Sequence, residues 1–357
     1  MINDKHLEQT AGDDSENYQA DKIVVYKQGL SYSDCKEVAL DVYKSNYLQL
    51  SNDAGALAYQ RAEHLLDQLL KKLKEQQEEN LSTFQDPGMQ TAIYDAQKAF
   101  VRSGDEDLES ILVDLLHERF GSGERNLKQI ILDQALNVSS MLTSQQMDVL
   151  SLVFVFTQTH RHGIGTLEGF YQYLESTIAP LTTELTDNEL CYQHLKFSGC
   201  CSLFETSKIK PIEELIIKSY PAFFSKGFEV EEIKIDSTSL AKITPLFLKC
   251  FHYPNLTQFN ALNVGDLEKK CKEAELNKDD VRVLVALFKS TTMKAPEVKK
   301  HLSAKFDYMN DLLTKWTTTR LNKVSLSTVG IAIAQVNYRI KTGNELDMNI
   351  WLNPTCV

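Results

Sequence analysis

Apolar positions along most of this chain recur at the three-four spacing that sets them on one face of an α-helix. The longest such stripe is Leu57, Ala58, Ala62, Leu65, Leu66, Leu69, Leu70 and Leu73, which predicts a long helix beginning at Asn52 or Asp53. The charged portion from Lys71 to Asn80 then runs out into solvent. Upstream, Ser31 or Ser33 is placed to cap a helix reaching about Leu50, with Cys35, Val38, Ala39 and Val42 on one side. Asp86-Pro87 is a cap followed by proline in the first turn, a strong start signal. Leu108, Ile111, Leu112, Leu115 and Leu116 predict a helix over 105–120 that stops at Gly121 with a left-handed cap. Leu127 to Leu142 continues the pattern. Thr143-Ser-Gln-Gln146 reads as a capping box ahead of Met147 to Phe156, whose apolar residues on all sides put it at the centre of a bundle. Thr166 to Ile178 and Thr186 to Leu195 complete this block.

Three stretches break the rhythm. Residues 9–19 are polar, and Ile23-Val-Val-Tyr26 after them reads as one short β-strand. A lone strand has unpaired edges, so it lies on the body or pairs with a second copy of the chain. Between Phe197 and Leu262, Pro211, Pro221, Pro245 and Pro254 cut the chain into short pieces, with a weak strand-like alternation over Phe228 to Ile235. The final block predicts helices from Asn277 to Ser290, Ala295 to Leu302 and Lys305 to Trp316. A hairpin turning at Asn322-Lys323, a helix from Val329 to Ile340 and a closing strand over Met348 to Leu352 follow. That order matches a winged-helix domain. The expected fold is mostly α, a multi-helix bundle with a short N-terminal β-strand and a C-terminal winged-helix-like module. The expected divisions are 1–30, a polar segment plus strand serving as an oligomerisation element; 31–196, the bundle; 197–262, an irregular linker or small subdomain; and 263–357, the module.

Composition adds compartment and charge. With 43% hydrophobic and 24% charged residues, the 357-residue chain can bury a substantial core. Its net charge of −11 repels nucleic acid and anionic membranes on the whole. From Lys294 to Lys341, however, nine basic residues face three acids, which keeps a local nucleic-acid surface open. Lys299, Lys300, Lys305 and Lys315, with Arg320 and Lys323 of the hairpin, are the candidates to track phosphates. The third helix of that module offers Phe306, Tyr308, Met309, Asn310 and Asp311, a poor set for reading base edges, so protein contact is the favoured use. Seven cysteines without framework spacing, behind an N-terminus lacking an apolar leader, point to reduced thiols in a cytoplasm. The most apolar stretch, Val149 to Phe156, falls far short of the roughly 20 residues of a bilayer span.

Short strings that resemble chemistry have simpler structural explanations. His160-Arg-His162 has no third or fourth ligand near it and fits a polar helix C-terminus. Cys200-Cys201, with Cys191 and His194 close by, lacks zinc spacing and reads as two small buried side chains. Gly163-Ile-Gly165 lacks the flanking strand and helix of a phosphate loop. Asp105, Glu106, Asp107 and Glu109 open a helix and complement its dipole. No catalytic residue, metal or cofactor is expected.

Two stretches carry a family resemblance. Gly29-Leu-Ser-Tyr32, continued by Ala39-Leu-Asp41, Asn46 and Leu50 and preceded by Ala11-Gly-Asp-Asp-Ser15, resembles the N-terminal helix signature of a family of bacterial helical proteins. Leu326-Ser-Thr-Val-Gly-Ile-Ala-Ile-Ala334 and the ending Asp347-Met-Asn-Ile-Trp-Leu352 resemble its C-terminal end and, more loosely, the Leu-Thr-x-x-Gly turn of abortive-infection alpha proteins. Ser327 stands where threonine is commoner in that turn, and either hydroxyl can cap. The motifs are caps and turns, so the resemblance implies a bacterial setting in phage defence and transfers no functional residue. The expected function is a non-enzymatic sensor, adaptor or regulator acting through protein contacts with a partner or phage component. Self-association would run through Ile23, Val24, Val25, Tyr26, Leu65 and Leu69. The alternatives are nucleic-acid binding by the basic module and an effector enzyme switched on by assembly.

Overall fold

A computed structural model describes residues 31–46, 52–77, 81–121, 126–206 and 209–352. The expected strand at Ile23 to Tyr26 lies outside them. The first helices follow the sequence signals closely. They are α1 (Tyr32–Asn46), α2 (Asn52–Glu75), α3 (Pro87–Ser103), α4 (Glu106–Phe120), α5 (Leu127–Ser139) and α6 (Ser144–Gln158). Ser31 and Asp34 exchange reciprocal bonds at the start of α1, Asp86 caps α3 through the Met89 amide, and Thr143 with Gln146 closes the capping box of α6. Two local expectations fail. Gly121 has φ −74°, an ordinary right-handed end, and the left-handed cap is instead Gly104 after α3, at φ 63°. In α2, Leu57 is exposed while the rest of the stripe is buried.

After α7 (Leu167–Tyr173) the backbone widens into a π-helical turn, Leu174–Ile178, and then α8 (Glu189–Phe197) leads to β1 (Cys201–Leu203) and α9 (Ile212–Ser219). The chain next builds α10 (Ser237–Ile243), β2 (Phe247–Lys249), β3 (Thr257–Phe259), α11 (Val264–Glu273) and α12 (Lys278–Thr291). It returns through α13 (Ala295–Lys305), α14 (Asp307–Thr318), β4 (Val324–Leu326), α15 (Thr328–Thr342) and α16 (Asn349–Leu352). The protein is mostly helical, and no helix among the described residues is long and apolar enough to cross a membrane.

The winged-helix expectation is not met at its wing. Leu321–Lys323 is a 3-10 turn, and β4 pairs antiparallel with β1, Cys201 opposite Leu326 and Leu203 opposite Val324, rather than with the residues just before it. The stretch Met348 to Leu352, expected as a strand, carries the helix α16. Phe228 to Ile235 contributes one bridge, Phe228 to Thr257, and a 3-10 turn at Val230–Glu232.

The two largest hydrophobic clusters among the described residues group distant segments of the chain. The larger runs from Cys35 to Phe224 and resumes from Met293 to Leu352, with α6 and α15 packed together at its middle. The smaller is built around Phe228, Phe259, Leu267, Leu284 and Phe288, all between the two halves of the first. The residues joining them form a neck: Ser225 bridges Thr292, the Lys226 amide bonds Thr291 O at 2.7 Å, and the Met293 amide bonds Phe224 O at 2.7 Å. Residues 226–291 are thus a lobe inserted into a helical body.

Candidate functional site

A cleft of about 670 Å³ opens between α2, α4 and the end of α15, within the size range of small-molecule sites. Helical spacing makes it. His64, Gln68, Lys72 and Glu75 stand three or four residues apart beside the buried leucine stripe of α2, and Glu106, Glu109 and Val113 do the same on α4, with Asp114 next to the last. Arg339, Ile340 and Glu345 close the third side. The lining is charged, which is unusual for a surface so close to the core.

Two carboxylates on α4 are buried, Glu109 and Asp114, at 7% and 6% exposure, and they are compensated very differently. Asp114 bonds Lys72 on one oxygen and Arg339 Nε on the other at 2.8 Å. Arg339 also reaches Glu118 at 3.0 Å, and Lys128 reaches Glu118 at 3.5 Å. Burial works against the Arg339 charge, but Asp114 and Glu118 outweigh it and hold the guanidinium above its ordinary value. Glu109 has His64 Nε2 3.2 Å from one oxygen, on a half-exposed ring. Burial therefore pushes the Glu109 carboxyl up, against a partial offset from His64, and Glu106 adds to the rise.

A second polar seam continues from α15 into the core. Asp148 of α6 is fully buried, accepts a bond from Asn337 Nδ2 at 2.9 Å and pairs with Lys341 at 3.2 Å. Burial pushes its carboxyl up, with Asn337 and Lys341 offsetting part of the rise. Arg339 and Lys341, two residues apart, thus tie α15 to α4 at the cleft and to α6 in the core.

The residues expected to follow phosphates divide among α13, α14 and the turn after it. Lys300 is exposed and Lys299 half-buried on α13, and Lys305 sits 5.1 Å above the Tyr171 ring. Lys315 bonds the Leu185 carbonyl at 2.6 Å and Asp311 at 2.9 Å. Arg320 and Lys323 come together, but on acids. Arg320 holds Glu189 at 2.9 Å and Glu205 at 2.7 Å, and Lys323 stands 3.9 Å from Glu205. Leu65 and Leu69, expected to face a partner, are fully buried where α2 packs against α1, α3 and α4 of its own chain.

His160 and His162 lie in the loop beyond α6 rather than on the helix, and their rings meet edge to face at 4.7 Å. Among the described residues no group of three or more His, Cys, Asp and Glu is arranged to hold a metal. Cys200 and Cys201 are buried, and burial pushes both thiols up to about 12. The cleft residues His64, Glu109, Asp114 and Arg339 were not visible as a set in the sequence. The available signal was Val113, an apolar residue off the main stripe of α4, which implies a second covered face on that helix.

A family model carrying the description ":-like" matches residues 29–352. The match spans most of the chain, and the chain belongs to that family. No curated protein and no solved structure matches it.

Proposed function

We propose that this family member works by binding, as a sensor, adaptor or regulator whose recognition element is the charged cleft between α2, α4 and α15. The observation that carries the reading is Glu109. A helical protein built for stability alone would place an apolar side chain there, because a buried carboxylate beside one half-exposed histidine is poorly compensated. A perturbed ionisable group in a cleft is where function is expected. Arg339 and Lys341 give a ligand in the cleft a route to the core, since both lie on α15 and contact different helices. The bacterial anti-phage setting rests on the resemblance of the two chain ends, and self-association on the residues before Ser31.

The test is protection against phage in a bacterial host, measured as plating efficiency, for the wild type and for the exposed-rim variants Lys71→Glu and Glu106→Lys. Protection by the wild type and its loss in the rim variants, at equal protein level, is the expected result. Protection that survives both reversals removes the cleft from the function, and a wild type that protects against nothing removes the defence setting. Deleting residues 1–28 and finding the same mass by light scattering would remove self-association through that segment.

A further inference from the structure

The inserted lobe touches the body through a histidine pair. His252 lies in the loop between β2 and β3, and His301 lies on α13 of the body; their ring centroids are 4.2 Å apart, edge to face. Each ring is also held by its own side. His252 Nε2 donates to the Phe223 carbonyl at 2.6 Å, and His301 Nε2 shares a hydrogen bond with the Tyr171 hydroxyl at 2.7 Å. Phe224 stacks on His252 and meets His301 edge on, so the half-buried pair is packed among rings. The strand after this loop, β3, is tied to the body by Gln258 Nε2, which donates to the Ala222 carbonyl at 3.1 Å.

We propose that His252 and His301 form a proton-sensitive latch, which keeps the lobe docked on the body at neutral pH and releases it in mild acid. The imidazole pair packs edge to face favourably, whereas a proton on His301 sets a charge against the adjacent half-buried ring. Among the described residues, the groups facing them supply no compensating charge in direct contact. From α7 come the Tyr171 hydroxyl and, one turn earlier, Glu168, whose charge acts on Tyr171. From α13 come Lys305, one turn after His301, and Glu297, one turn before it, which is engaged by Lys226 of the neck at 3.2 Å. Tyr308 of α14 donates to the Leu174 carbonyl, and Cys250 of the lobe donates to the Ser225 carbonyl.

Burial, His252 and the Lys305 charge together hold His301 below its ordinary value. A histidine whose value is depressed in the docked state binds a proton better once released. Docking is therefore complete above about pH 6.5 and weakens as the pH falls below it.

Amide hydrogen exchange on the full chain tests this, with protection factors normalised for the intrinsic pH dependence of exchange. Between about pH 7.5 and about pH 5.5, protection over residues 250–258 should fall, with one differentially protonated histidine setting a ceiling of about tenfold across that interval. Amides of α6 and α15 should not follow. His301→Phe keeps a ring and removes the titration, and it should stay protected at the lower pH. Lys305→Met, an exposed change that does not depend on repacking, lifts the His301 value and should shrink the fall. An unchanged wild type, an equal fall in His301→Phe or in Lys305→Met, or a matching loss in α6 and α15 would each overturn the latch.

Discussion

Gly330 sets how closely α15 can approach the loop before β1. A Cβ at this position would lie 2.0 Å from the Cys200 carbonyl oxygen, and the backbone on that side is already committed, because Cys200 O accepts from the Ser327 amide at 2.9 Å. The Ser327 hydroxyl accepts from the Gly330 amide at 3.0 Å and donates to Gly199 O at 2.6 Å, so one serine caps the helix and pins the loop. Gly330→Ala should cost about 2 kcal/mol or more, read as a lower denaturant midpoint; an unchanged midpoint would show that the approach can relax. Glu109 makes the opposite case. Its folded value lies above the unfolded one of about 4.3, so the native state holds the proton more tightly. Its contribution to stability declines as the pH rises through that window and then levels off. Glu109→Gln should remove this slope and stabilise the protein at neutral pH by roughly 1 kcal/mol, and thermal melts at several pH values check both points. At this scale much was legible. Asp86, Thr143, Gln146 and Asn277 cap where their side chains say they should. Gly121 misled because glycine permits a left-handed residue without requiring one.

At the scale of elements, helices with a full apolar stripe were readable and pairings between distant segments were not. The β-branched residues around Asn322 suggested a hairpin, yet β4 takes its partner from residues 201–203, a choice made by where α8 and α14 end rather than by local propensity. α6 and α15 show the same lesson in their polar residues. Nothing in the spacing of Asp148 and Lys341 announces that they meet across the central helix pair. Lys341→Met tests how much this pair matters. It leaves Asp148 buried with Asn337 as its remaining named partner, and losing one member of a buried pair costs about 3–5 kcal/mol while the carboxyl stays ionised. Since burial already raises the Asp148 value, the variant can escape by protonating. The gap from wild type should therefore be widest at alkaline pH and close progressively toward acid, and a gap independent of pH would mean that packing, rather than charge, makes the contact.

The division of the whole molecule follows the same logic. Prolines between 197 and 262 make that region read as an irregular linker or small subdomain, because sequence patterns report local irregularity and cannot report which distant segments share a core. The structure instead closes the body across Ser225 and Thr292 and lets residues 226–291 fold around their own cluster of Phe228, Phe247, Phe259 and Phe288. An insertion whose two ends are bridged can be removed with little loop-closure entropy at stake. Replacing residues 226–291 with a short glycine-containing turn should leave a helical body that melts within about 5 °C of the full chain. It should also keep the cleft, whose lining residues all lie outside the lobe. Circular dichroism and a thermal melt decide it. A body that unfolds would mean the lobe supports the turn whose Ala222 and Phe223 carbonyls Gln258 and His252 now bond, making the lobe part of the body's stability. A body that folds makes the lobe a movable attachment, which is the physical condition for docking and release to carry a signal.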